Sequence, residues 1–298
     1  MKILVTGGSG FIGSNLCRKL LDNKNTIYCL DNFSTSSKDN IKDLIRHNDF
    51  YLIDEDISKI NFNKLFKFNV DQIYHLAGPT APGDFKKNPI ETLKTNILGT
   101  INILEFANFC CIPVLFTSSI RVFETNHLDN NSSYTESKRI CETLCYEYKK
   151  NNSNIKIARL TNIYGPGMAK NDSRVIPTFI SNALKNEDIK ILGSGNQIDS
   201  FCYIDDTISA LIMYMNSQIT DENFLYIGSK EKTSILELSK LIIKIIISKS
   251  QIKFENLKYI INDNRTKNVD LNKTKQLLNW EAKTNLESGL KKMIEIIK

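Results

Sequence analysis

Tyr134-Thr135-Glu136-Ser137-Lys138 sets a phenol and an ammonium four residues apart, which on a helix puts both on one face. A phenol with a pKa of about 10 is a poor base at neutral pH. Bringing it to about 7 takes roughly 4 kcal/mol of preferential stabilisation of the phenolate. A cation beside it in a partly desolvated cleft supplies that order of energy. Taken alone, such a pair is common on helix surfaces and signifies only a solvated face. It gains chemical meaning from Thr117-Ser118-Ser119, which closes an apolar run shortly upstream. A serine hydroxyl there hydrogen-bonds a substrate oxygen that gives its proton to Tyr134. The set oxidises an alcohol, provided that something nearby accepts a hydride.

The acceptor is announced at the start of the chain. Ile3–Thr6 runs into Gly7-Gly8-Ser9-Gly10-Phe11-Ile12-Gly13, and the amphipathic stretch Ile12–Leu21 follows. Strand, tight turn and helix N-terminus are the context in which such glycines let the backbone approach a pyrophosphate. Gly7, Gly10, Phe11, Ile12 and Gly13 are therefore candidate dinucleotide contacts. The alternative, glycines that merely turn the chain, is weakened by Asp31, which ends the second apolar run about 20 residues on, where a carboxylate accepts from both ribose hydroxyls. An acid there favours NAD over NADP, because a 2′-phosphate would meet like charge. Asn32, Ser34 and Thr35 continue that loop, Asp56-Ile57 is placed to flank the adenine, and Leu76 near the end of the fourth run completes the candidate cofactor set. The positive nicotinamide ring would be the second cation beside Tyr134.

These residues need a sheet to hold them. Strand candidates are Ile3–Thr6, Thr26–Leu30, Phe50–Ile53, Gln72–Ala77, Val114–Ser118 and Ile155–Leu160, separated by amphipathic stretches such as Ile12–Leu21 and Ile90–Phe109. Alternation of this kind implies parallel βαβ units with right-handed crossovers, an α/β doubly wound parallel sheet. From about residue 162 the pattern is less regular. Helices are expected at Val175–Lys185, Asp206–Met215, Ile235–Ile247, Asn272–Leu278 and Leu286–Ile297, with short strands near Ile189–Leu192 and Phe224–Ile227. The reading is a dinucleotide-binding domain over 1–161 and a smaller, interwoven lobe over 162–298, part of which returns to the first.

Bulk composition narrows the classes. Net charge is +6, but the 39 Lys and Arg residues are spread along the chain, and no nucleic-acid-binding motif appears. Seven cysteines, an odd number with no C-x-x-C pair, fall largely in apolar runs and point to a reducing compartment. The chain opens directly on MKILVTG without a signal-like segment, and its most apolar run, Leu241–Ile247, is broken by Lys244. A soluble cytoplasmic protein is expected, without membrane or nucleic-acid partners. His47, His75 and His127 do not cluster with carboxylates, so no metal is expected.

Taken together, TGGSGFIGSNL, LDNFST, HLAGPTAP, YTESKR, NDSRVIPTFI, SFCYIDD and the closing LLNW resemble the extended short-chain dehydrogenase/reductases of the nucleotide-sugar epimerase/dehydratase family, over essentially the whole length. LAGPTAP and NDSRVIPTFI look most like UDP-glucuronate decarboxylase and its relatives. The resemblance implies a Rossmann-type domain with bound NAD, Tyr134 as base, Lys138 on the nicotinamide ribose, and Ser119 as hydroxyl partner. It also implies Asn162 and Arg174 on the diphosphate of a nucleotide-diphosphate sugar, with Arg265 or Lys267 assisting. A homodimer or dimer of dimers is implied as well, paired through Ile90–Phe109 and the stripe Ile140, Leu144 and Tyr148, as is a place in surface-polysaccharide sugar biosynthesis.

The chain departs from that pattern at two points. The decarboxylases and dehydratases carry a Ser/Asp-then-Glu pair after the catalytic Ser/Thr; here Ile120 and Arg121 follow Ser119. Before the serine of SFCYIDD the decarboxylase has Arg; here stands Asp199. An arginine cannot act as a base near neutrality, and Asp199 would repel a substrate carboxylate. The expectation is therefore oxidation at C4, giving a 4-keto sugar or its 4-epimer, with Arg121 as a substrate contact. The alternatives are a decarboxylase whose Arg121 and Asp199 form a structural ion pair, a 4,6-dehydratase, or a non-catalytic NAD-binding regulator. Intact Ser119, Tyr134 and Lys138 argue against the last.

Overall fold

The computed structural model describes residues 1–61, 63–123, 132–151, 153–169, 172–256 and 269–297. The strands are β1 (Lys2–Thr6), β2 (Thr26–Asp31), β3 (Phe50–Asp54), β4 (Gln72–His75), β5 (Val114–Ser119), β6 (Ile155–Leu160), β7 (Asn162–Tyr164), β8 (Ile189–Leu192), β9 (Ile198–Tyr203), β10 (Leu225–Ile227), β11 (Lys232–Ser234) and β12 (Ile252–Glu255). The helices are α1 (Phe11–Asp22), α2 (Asn63–Phe66), α3 (Pro82–Lys87), α4 (Pro89–Phe109), α5 (Ser132–Lys150), α6 (Val175–Lys185), α7 (Ile204–Asn216), α8 (Ile235–Ile246), α9 (Leu271–Leu278) and α10 (Leu286–Ile297).

Seven strands form one parallel sheet in the order β10-β6-β5-β4-β1-β2-β3. Buried on both faces, the inner strands read as continuous apolar runs, as parallel strands must. α1 and α7 pack together over one face, while α4 and α5 pack together over the other. Two apolar cores result. One gathers Ile3, Leu16, Leu115 and Leu211; the other gathers Leu4, Ile73, Ile103, Phe116 and Cys145. Between β1 and β4 the winding reverses, and ligands of doubly wound sheets lie at the carboxyl ends of such a pair.

Residues beyond 162 do not all leave this sheet. β10 pairs with β6 in parallel, Leu225 opposite Ala158, and α7 lies against α1. The rest builds two small sheets, β11-β9-β7 and β12-β8. β7, β9, β11 and β12 carry too few residues with regular alternation to be read from sequence. β4 stops at His75, two residues before the expected Ala77; the chain then turns away through Gly78 at φ +136°. Of the stripe expected to meet a second subunit, Ile140 is exposed, but Leu144 and Tyr148 pack against the chain's own core. No helix among the described residues is long and apolar enough to cross a membrane.

Candidate active site

The glycine-rich turn is shaped by contacts that no side chain would fit. Gly7, at φ +69°, donates its N–H to the Leu30 carbonyl at 2.8 Å, and a Cβ on it would sit 2.8 Å from the Ala77 backbone. A Cβ on Gly13 would stand 2.1 Å from the Gly7 carbonyl oxygen. β1, the turn and α1 are thereby drawn close. Gly10 caps α1 without a side-chain hydrogen bond, and Phe11, Ile12 and Gly13 form a first turn with no acidic residue. Such a helix start presents free N–H groups and a positive dipole end to an anion. The crevice fits the pyrophosphate of NAD.

Asp31 ends β2 and is 8% exposed. Its Oδ2 accepts from the Ser9 N–H at 2.9 Å, and its Oδ1 accepts from the Phe33 N–H and the Ser36 hydroxyl, both at 2.9 Å. The carboxylate is thus fixed by the glycine turn and its own loop, with lone pairs left over for a ribose. Asn32, Ser34 and Thr35 are exposed on that loop, and Asn32 Oδ1 accepts from the Ser34 N–H at 3.1 Å. Asp56 accepts from the Ser58 N–H at 2.9 Å and its hydroxyl at 2.7 Å. Burial pushes the Asp56 pKa up, but the Ser58 bonds and Lys59 outweigh it and leave it below the usual carboxylate range. Ile57 instead turns its side chain inward against Gly99. Leu76 is half-buried and donates its N–H to the Thr6 carbonyl at 3.1 Å.

Tyr134 and Lys138 lie in the first two turns of α5, 5% and 3% exposed. The Lys138 ammonium donates to the Thr117 carbonyl at 2.9 Å and stands 4.7 Å over the Phe116 ring. This bond anchors the lysine on β5, two residues before Ser119. The Ser119 Oγ accepts the Arg121 N–H at 3.2 Å, at the start of the 3-10 turn Ile120–Phe123. With an acceptor lone pair occupied, the serine proton is left to donate elsewhere. Ile120 and Val122 bury their side chains, and Arg121 between them is half-buried.

Asn162 opens β7, and its buried amide Nδ2 has no hydrogen-bond partner among the described residues. A buried donor left unmade costs free energy, so an acceptor from a ligand is the natural partner. Arg174 caps α6 and lies 5.7 Å from the ring of Phe11, which places it beside the α1 start. Its guanidinium is already gripped by Asp172, with Nε at 2.9 and 3.0 Å from the two carboxylate oxygens and Nη2 at 2.5 Å. A diphosphate would have to share that fork. Burial and the neighbouring Asp172 carboxylate push the Asp84 pKa up on α3, against Arg174 and Lys87. Asp199 lies in β9 opposite Thr233. Arg265 and Lys267 lie outside the described residues.

Sequence reading missed two groups. Phe85, on α3, stacks on Tyr134. His75 is buried at the end of β4 between the Thr6 hydroxyl at 2.7 Å and the Thr100 hydroxyl at 3.0 Å. Burial, aided by the Lys138 charge, holds its pKa down at about 3, so it is neutral. Neither has a local signal, because both partnerships join distant parts of the chain.

The model of the NAD-dependent epimerase/dehydratase family matches residues 3–227. UDP-glucuronic acid decarboxylase 1 of Danio rerio is 37% identical over 309 residues, covering 99% of this chain and 72% of that protein. UDP-glucuronic acid decarboxylase 6 of Arabidopsis thaliana is also 37% identical, covering 99% and 88%. Among solved structures, UDP-glucuronic acid 4-epimerase from Bacillus cereus, in complex with UDP-glucuronic acid and NAD, superposes with a TM-score of 0.88 at 29% identity, covering 100% of this chain and 99% of that one. The chain belongs to the NAD-dependent epimerase/dehydratase family. It is an NAD-dependent enzyme of the extended short-chain dehydrogenase/reductase type.

Proposed function

We propose that the enzyme oxidises C4 of a nucleoside-diphosphate sugar and either releases the 4-keto sugar or returns the hydride to the other face, as a 4-epimerase. The observation that carries this reading is the bond from Lys138 to the Thr117 carbonyl, which brings an almost fully buried ammonium to the strand that ends in Ser119. NAD, when bound, supplies the hydride acceptor. Lys138 stands one helical turn from Tyr134 on the same face of α5, and a cation there attracts negative charge on the phenol oxygen more strongly than in water, against the cost of burying that charge. Tyr134 takes the proton of the C4 hydroxyl. Ser119, accepting from the Arg121 N–H, turns its own proton to the same oxygen. Asn162 and Arg174 bind the diphosphate.

Ser119, Tyr134 and Lys138 suffice for oxidation, and the residues for a following step are altered. A guanidinium is no base near neutrality, so Arg121 cannot take a proton from C5 as dehydration requires. Asp199 offers no cation to a departing carboxylate. A second reading, UDP-glucuronate decarboxylation, is favoured by the 37% identity to decarboxylases over 99% of the chain. Mass spectrometry of the enzyme incubated with UDP-, GDP- and dTDP-sugars separates the two. An isomer, or a product lighter by two mass units, supports oxidation alone; loss of carbon dioxide from UDP-glucuronate establishes the second reading in its place. Counting turnovers without added NAD then divides the first. Many turnovers mean epimerase, and a stall after about one, relieved by NAD, means dehydrogenase.

A further inference from the structure

Ser119 is bracketed by two bonds that leave adjacent residues of one helix. Lys138 donates to the Thr117 carbonyl, before the serine, at 2.9 Å. Arg139 donates its Nε–H to the Val122 carbonyl, after the serine, at 2.8 Å. The Arg139 guanidinium also pairs with Glu136, one turn back on α5, which directs it along the helix surface. Val122 and Ile120 are buried, so the turn is fixed from below as well. Between those supports the Arg121 N–H reaches the Ser119 Oγ.

A second guanidinium braces the far end of the same turn. Arg159 lies on β6, and Glu142 of α5 holds it in a fork, with Nε–Oε1 2.9 Å and Nη2–Oε2 2.6 Å. Its Cζ lies 3.5 Å from the Phe224 ring centroid and 5.1 Å from that of Phe123, the last residue of the turn. The helix that bears Tyr134 thus also holds the turn that orients Ser119, directly through Arg139 and indirectly through Glu142.

We infer that Arg139 is a positioning residue: by holding the Val122 carbonyl it sets the Arg121 N–H, and through it the Ser119 hydroxyl, in register with Tyr134 and Lys138. This rests on the proposed catalytic roles of those three residues. Displacement of a reacting group by about 1 Å can cost on the order of a hundredfold in rate. Losing Arg139 therefore shows in kcat and leaves substrate affinity nearly untouched. A purely structural brace would act whether or not Ser119 carried its hydroxyl; a positioning residue acts through that hydroxyl.

The test is a double-mutant cycle on UDP-glucuronate and UDP-glucose, with Arg139→Met and Ser119→Ala alone and combined, and Tyr134→Phe alongside. Arg139→Met is expected to lower kcat at least about tenfold with KM changed less than about threefold, and to cost less than about twofold once Ser119→Ala is present. Equal losses in both backgrounds would overturn the inference. Arg139→Lys, which keeps a cation for Glu136 but not the planar fork, gives a smaller loss with the same non-additivity, and it carries the cycle if the Met variant melts early. A crystal structure of Arg139→Met reads the cause without turnover. The Arg121 N–Ser119 Oγ bond should be broken, and an unmoved turn counts against the inference. Tyr134→Phe separates the two levels. If it stays active, the catalytic reading itself fails; if it is dead while the cycle is additive, only the role of Arg139 falls.

Discussion

The rings of Phe85 and Tyr134 lie nearly parallel, 5.2 Å between centroids and 12° between planes, with Phe85 fully buried. Phe85 belongs to α3, the short helix whose Gly83 N–H donates to the Ser173 hydroxyl at 3.0 Å, beside Arg174. α3 therefore spans from the proposed base to the proposed diphosphate anchor. A benzene face is electron-rich, so the stack fixes the phenol ring but does not favour its anion. In the proposed mechanism, stabilisation of that anion is left to Lys138 and to the positive nicotinamide ring of bound NAD.

Tyr134→Phe keeps the ring and its stack on Phe85 while removing the hydroxyl. Turnover is expected to fall at least about a hundredfold, the usual scale for a general base, with the melting temperature close to that of the parent enzyme. Initial rates on the substrate found by the sugar panel, together with a melt, check this. A near-normal rate would remove Tyr134 from the mechanism.

Asp31→Ala should weaken NAD binding by about 1–3 kcal/mol, the scale of a lost charge-assisted hydrogen bond. The same carboxylate holds the Ser9 and Phe33 N–H groups, so the loss includes ordering of the glycine turn. Calorimetry with NAD and NADP on the parent and the variant reads both parts. A parent enzyme that prefers NADP contradicts the role given to Asp31.

His75 gives the stability a definite pH dependence. Its folded pKa, about 3, lies below the ordinary value of 6.5. Between these pH values the unfolded chain binds a proton that the folded chain refuses, so stability rises with pH. The contribution is fully present above pH 6.5 and drains away as pH falls toward 3. Gln in place of His75 can still meet Thr6 and Thr100 but does not titrate. Melts of parent and His75→Gln from pH 7 downward should show a shallower acid decline in the variant. Parallel declines would mean that His75 does not control this limb.

The parts legible in the sequence were those whose neighbours in space are neighbours in the chain. Gly7 to Gly13 builds its turn from seven consecutive residues, and Tyr134 shares a helix face with Lys138 because the fourth residue along α5 falls on the same side. The apolar runs of β1, β2, β4, β5 and β6 announced themselves because both faces of those strands are buried. What stayed hidden was tertiary. His75 and Thr6 are 69 positions apart, and nothing in HLAG names a threonine as partner. The grip of Asp172 on Arg174 spans only two residues, yet a sequence cannot tell whether an arginine turns to its neighbour or to a ligand. Three-residue strands such as β7 and β11 are too short to show a period at all.

The most demanding prediction concerns the two exchanged charges. If Arg121 and Asp199 are what confine the reaction to oxidation, then restoring the signs that the resemblance to decarboxylases calls for should extend it. Arg121→Glu returns a carboxylate beside Ser119, and Asp199→Arg returns a cation able to face the substrate carboxylate. Each change alone leaves unbalanced charge in a half-buried place and is expected to lower activity. Together they should release carbon dioxide from UDP-glucuronate at least about tenfold faster than the parent, while oxidation at C4, still carried by Tyr134 and Lys138, continues. If both groups face the same substrate carboxylate, their effects are coupled, so the double variant should exceed the product of the single effects. Trapping of labelled carbon dioxide measures the gain, and the sugar product identifies the step. A parent that already decarboxylates as fast as the double variant would show that these two residues do not set the outcome.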